Sequence, residues 1–101
     1  SPSPVVYDED SVTIPPNLFT VGRRVYPEKE ERAGEAGNVL LEFVIDPFGI
    51  PDPCSFRVLE STNEHFESAA FWMAYESRFT PGSIAGKPVP VRVKQRVKFN
   101  P

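Results

Sequence analysis

Cysteine and histidine are almost missing from this 101-residue chain: Cys54 and His65 are the only ones. A single cysteine excludes an internal disulfide and any Cys-x-x-Cys metal pair. With Asp52, Pro53 and Ser55 as neighbours it has no cation to favour a thiolate, so it reads as an inert, partly buried thiol. Any imidazole-based metal site or Ser-His-Asp triad has to be built on His65. It falls between Glu64 and Phe66, in the first turn of a predicted helix, where a solvated side chain is the ordinary reading. Asp46, Asp52 and Glu60 are explained by turns and strand ends rather than as paired catalytic carboxylates. The stretch Gly82 to Lys87, "GSIAGK", lacks phosphate-loop spacing and follows no strand. No catalytic residue, metal site or cofactor is therefore expected, and the chain does not read as an enzyme. Basic residues are also few, 11 against 14 acidic, so no nucleic-acid footprint is expected. No apolar run approaches the roughly 20 residues that cross a bilayer.

What is present suits one small domain: 40% of residues are hydrophobic, enough for a modest core. Charge is unevenly placed. Arg78 to Pro101 carries six basic residues and no acidic one, while Ser1 to Ser77 carries five basic against all fourteen acidic. The opening "SPSPVVYDED" lacks a signal-peptide pattern. Its prolines look like the tail of a proline-rich linker, so the chain reads as a piece of a longer protein. Residues 1–16 are expected to be a linker or extended arm, pairing at most briefly through "SVTI", and 17–101 the domain.

Along that domain, Asn17 to Val25 has apolar residues without a steady period and is expected to be an extended arm. "YPEKEERAGEAG" predicts a short surface helix, with Pro27 at its first position, acidic residues in the first turn, and Gly34 or Gly37 as its stop. "NVLLEFVID", Asn38 to Asp46, is apolar on both parities, the pattern of a central strand. "PFGIPDP" is a turn or loop, and "CSFRVLES" its antiparallel return strand. "STNEHFESAAFWMAYESRF" has Asn63 or Thr62 as an N-cap. It carries Phe66, Ala69, Ala70 and Met73 on one face and Trp72, Tyr75 and Phe79 as a second band; this predicts the main helix, ended by Pro81. Val89 to Phe99 is the last strand. A right-handed crossover through the long helix gives the sheet order second, first, third, with the last strand at an edge.

That last strand, "VPVRVKQRVKF", is the most informative stretch. Val89, Val91, Val93, Val97 and Phe99 share one parity; Pro90, Arg92, Lys94, Arg96 and Lys98 share the other. Lysine and proline on an edge discourage aggregation. The same open edge also accepts a partner's extended peptide by strand addition. The pattern alone leaves both open. Gln95 falls on the valine parity, which predicts either a bulge or an amide that meets a peptide or solvent.

The ordered motifs resemble the C-terminal domain of the TonB energy-transducer family. "YP" (Tyr26, Pro27) is followed by "G-x-V-x-x-x-F-x-I-D" from Gly37 to Asp46, and "D-x-x-G" from Asp46 to Gly49. "ES" (Glu60, Ser61), "F-E-S-A-A" from Phe66 to Ala70, and "R-F-x-P-G-x-x-x-G-K-P-V" from Arg78 to Val89 come next, ahead of the alternating strand. The resemblance covers about Pro16 to Phe99. It implies an α+β fold, two helices packed on one face of a three-stranded antiparallel sheet. It also implies a periplasmic domain, tethered to the inner membrane by a segment absent from this chain, that binds the TonB box peptide of outer-membrane transporters beside the terminal strand. Carried over, the contacts fall on Val91, Arg92, Val93, Lys94, Gln95, Arg96 and Val97, and on Arg23, Arg24 and Val25. An ExbB/ExbD-type motor would act through an upstream helix, and a homodimer through the exposed strand is the variant. The alternative is a TonB-like assembly module that self-associates or docks another envelope protein. Where the family often has tryptophan, two places before the phenylalanine of "RF", this chain has Ser77, with Trp72 or Tyr75 as candidates for that volume.

Overall fold

The longest strand pair sets the frame of the computed structural model, which describes residues 5–23 and 25–100. Strand β3 (Gly37–Ile45) and the terminal strand β8 (Val91–Phe99) run antiparallel in unbroken register, from Gly37 opposite Phe99 to Ile45 opposite Val91. On the other side of β3 lies β4 (Arg57–Ser61), antiparallel, with a register shift between Leu40 and Leu41. The predicted order of second, first, third strand is therefore present as β4-β3-β8. The three-stranded sheet is corrected to four strands: β1 (Tyr7–Asp8) adds in parallel to the start of β8, Tyr7 opposite Val91 and Asp8 opposite Arg92. Tyr7 N–H donates to the Pro90 carbonyl at 3.0 Å.

Alternation explains the core. Val39, Leu41, Phe43 and Ile45 of β3, with Val91, Val93, Val97 and Phe99 of β8, are buried on the side covered by helix α2 (Glu64–Glu76). Leu40 is half-buried and Val44 buried on the opposite parity, as a central strand predicts. Asn63 caps α2, its Oδ1 accepting from His65 N–H at 2.9 Å. Phe66, Ala70, Met73 and Ala74 form the buried face, and Phe66 stacks on Phe99 with centroids 4.8 Å apart. Phe71, which fits neither predicted band, packs edge-on against Phe56, which stacks on Phe43.

Helix α2 stops earlier than Pro81. Ser77 turns extended, and the chain enters β5 (Arg78–Thr80), which pairs with β2 (Asn17–Thr20). The first part of the expected extended arm, Asn17–Thr20, is thus a strand. "GSIAGKPV" forms a hairpin of β6 (Gly82–Ile84) and β7 (Lys87–Val89) around Ala85 and Gly86, both at positive φ. The short pairing expected of "SVTI" occurs as a bridge between Ile14 and Ser83.

Helix α1 (Glu28–Arg32) does not share the sheet-covering role. Its one buried side chain, Glu30, accepts a hydrogen bond from His65 Nδ1 at the start of α2, so His65 ties two helices together. Tyr26, just before α1, packs edge-on against Phe66 and Phe99. The His65 hydrogen bond holds the Glu30 carboxyl below the usual glutamate range against the opposing effect of burial. Burial, with Glu35, Glu31 and Glu30 nearby, pushes the Tyr26 phenol up.

Gly22 carries a second tie. Its N–H donates to Ser77 Oγ at 2.8 Å, and that buried hydroxyl donates to the Met73 carbonyl at 2.7 Å. A Cβ at Gly22 would stand 2.0 Å from the Met73 carbonyl oxygen.

Two outcomes follow. Gly22→Ala should lower stability by about 1–3 kcal/mol, because backbone has to move; urea unfolding checks this. A carboxyl whose pKa is depressed by folding contributes stability above its unfolded pKa and loses it as pH falls through the folded value. Glu30→Gln should therefore flatten part of the acid limb of a stability-against-pH curve and leave the variant less stable at neutral pH.

Candidate functional site

Strand direction decides which backbone groups of β8 are available. The Pro90 carbonyl accepts from Tyr7, so it points away from β3. Successive residues alternate, which turns the amides of Arg92, Lys94, Arg96 and Lys98 outward and those of Val91, Val93, Gln95 and Val97 toward β3. The far side of β3 agrees: Val44 and Asn38 carbonyls accept from Asp52 at 2.8 Å and Thr62 at 3.1 Å, both toward β4. Strand β1 ends at Asp8, opposite Arg92. The edge expectation is thus corrected for the start of β8, which β1 covers, and holds from Lys94 on, where β8 has no strand partner on that side among the described residues.

Side chains divide the same way. Val91, Val93 and Val97 are buried in the core and their amides face β3, so a partner strand bonds to the even-numbered backbone between them. Arg92, Lys94 and Arg96 are exposed. Arg96 is held by Asn38 and reaches Glu60 at 3.5 Å. Arg92 and Lys94 face the start of an arm carrying Asp8, Glu9 and Asp10, where the chain leaves β1 in a 3-10 turn over Glu9–Ser11.

On the helix side of this edge lies a cavity of about 150 Å³, bounded by Glu9, Pro16, Leu18, Ile45, Phe79, Val93, Lys94 and Gln95. The β3–β8 register is unbroken through Gln95, which sits opposite Leu41, so the bulge is excluded. Its Oε1 is buried and has no hydrogen-bond partner among the described residues.

Arg23 and Val25 belong elsewhere. They line a groove of about 440 Å³ along the outer face of α2, with Pro27, His65, Ser68, Ala69, Trp72 and Glu76. It shares no lining residue with the cavity at the edge, so the structure does not bring the two predicted sets of contacts into one site. Arg24 lies outside the described residues. The helix residues of this groove, 65, 68, 69, 72 and 76, recur at i, i+3, i+4, i+7 and i+11; the sequence held that stripe, hidden by its mixed polarity.

Of the two rings expected to take the volume of the family's tryptophan, Trp72 is 53% exposed at the groove and Tyr75 is half-buried, stacked on Phe71. Gly22 approaches Ser77. Cys54 is exposed rather than partly buried, because Asp52 Oδ1 accepts from its N–H at 3.0 Å and holds Pro53–Ser55 as a surface turn.

A family model described as "Gram-negative bacterial TonB protein C-terminal" matches residues 22–101. A search of curated proteins gave no match. Among solved structures, the solution NMR structure of the Pseudomonas aeruginosa TonB C-terminal domain is similar, with a TM-score of 0.69 and 25% identity over 85% of this chain and 86% of that one. Family match, shared fold and a final strand that leaves its outer backbone open agree: the chain belongs to the TonB C-terminal family and is a TonB-type energy-transducer domain.

Proposed function

We propose that this domain works in the periplasm and captures the TonB box, a short extended peptide of outer-membrane transporters, by strand addition to β8. The observation that carries this reading is the outward-facing backbone of β8 from Lys94 on, which has no strand partner among the described residues, beside a chain segment already paired in parallel with the residues just before it. The family is one of transduction and binding rather than a known family of enzymes.

Strand addition suits force transmission. Main-chain hydrogen bonds contribute about 0.5–1.5 kcal/mol each, and bonds loaded side by side have to shear together. The basic residues act differently. Arg92 and Lys94 attract an acidic segment and raise its on-rate more than its affinity. Arg96, already engaged with Asn38 and Glu60, contributes less. Arg23, Arg24 and Val25 are assigned a secondary contact with a longer stretch of the partner. Force arrives from an ExbB/ExbD-type motor through an upstream membrane helix. The open edge also supports the second reading, in which two copies pair β8 to β8.

An amide NMR titration with peptides from transporter plug N-termini tests the proposal, with shifts expected along Arg92 to Lys98. Lys94→Pro removes an outward donor and should abolish binding while the fold persists. Val93→Pro removes a donor to β3 and should disrupt the domain itself. No shift with any plug peptide, together with concentration-dependent dimerisation through β8, would overturn the proposal in favour of self-association. Because an in-line peptide has to displace β1, Tyr7→Pro should tighten binding about fivefold, one hydrogen bond's worth.

A further inference from the structure

We infer that the cavity beside Gln95 is a subsite that reads one side chain of the docked peptide and accepts a small residue bearing a hydroxyl. The inference rests on docking at β8, and it follows from register, shape and an unsatisfied group.

The arm supplies the register. With Tyr7 opposite Val91 and Asp8 opposite Arg92, a strand that continued in line would place its next residues opposite Val93, Lys94 and Gln95. Paired residues project to the same side of a sheet. Side chains two and four places after the Tyr7 position therefore project toward α2, and the second of them stands beside Gln95. The arm does not occupy that place, because Glu9–Ser11 turns away as a 3-10 helix.

The cavity supplies the shape. Leu18, Ile45, Phe79 and Val93 give it apolar walls, with Glu9 and Lys94 also bounding it. At about 150 Å³ it suits a threonine-sized side chain better than an aromatic one.

Gln95 supplies the chemistry. Its side-chain oxygen is buried without a hydrogen-bond partner among the described residues, and such a group is costly until it is paired. A hydroxyl both donates and accepts, so it satisfies the amide whichever end faces the cavity. The arm's own residue four places after Tyr7 is Ser11. Its sequence would supply a hydroxyl there if it were extended.

The test uses the full chain carrying Tyr7→Pro, which weakens the pairing of β1 with β8, and ten-residue probes with this chain's sequence from Val5 to Ile14. The seventh probe residue is serine, threonine or valine. Titrations followed by NMR should rank threonine above valine by about tenfold, the scale of one buried hydrogen bond, and move the Gln95 side-chain amide resonances. Adding Gln95→Leu should erase or invert that ranking. Equal affinities for threonine and valine, or a ranking unchanged by Gln95→Leu, would overturn the subsite. Binding by no probe would overturn it too. Continued shifts along β8 with plug peptides would then show that docking itself stands.

Discussion

The ladder between β3 and β8 is the constraint on which the rest depends. Its register fixes two things together. Odd-numbered side chains of β8 enter the core beneath α2, and odd-numbered amides bond to β3. Even-numbered residues are left with exposed basic side chains and outward backbone. A strand whose odd-numbered side chains face the core thus still offers, through its even-numbered backbone, a row of donors and acceptors along its edge. Slipping the register by one residue would bury the basic side chains and expose the valines, so the core and the open edge rest on the same pairs.

The elements around this ladder position it rather than add chemistry. Phe66 stacked on Phe99 pins α2 to the end of β8. Gly22, Ser77 and Met73 hold the segment before Arg23 against the far end of α2. Glu30 and His65 join the two helices, which gives the chain's one histidine a structural role.

Much of this was legible in the sequence where a pattern ran long enough to have a period. Val91, Val93, Val97 and Phe99 announced the buried parity of β8, and apolar residues on both parities announced β3 as central. Phe66, Ala70 and Met73 gave the buried face of α2. Pairings of two or three residues have no period to detect, so β1, the β2–β5 pair and the β6–β7 hairpin were missed. Trp72 misled because a large aromatic side chain is not evidence of burial. The split between Arg23 with Val25 and the β8 residues is a fact of three dimensions that no motif order contains. Gln95 stood out in sequence as a polar residue on an apolar parity, but only the unbroken register showed that it faces a cavity rather than forming a bulge.

The acidic arm and the basic edge form one system. Asp8, Glu9 and Asp10 lie at the point where β8 becomes free, and the partner peptide is expected to follow the same direction. The most direct test of this account is a set of intermolecular NOEs between the isotope-labelled domain and a bound transporter peptide. The account predicts contacts from the Lys94 and Arg96 amide protons to peptide α-protons in parallel order. Contacts confined to Arg23, Val25 and Trp72 on the outer face of α2 would contradict it.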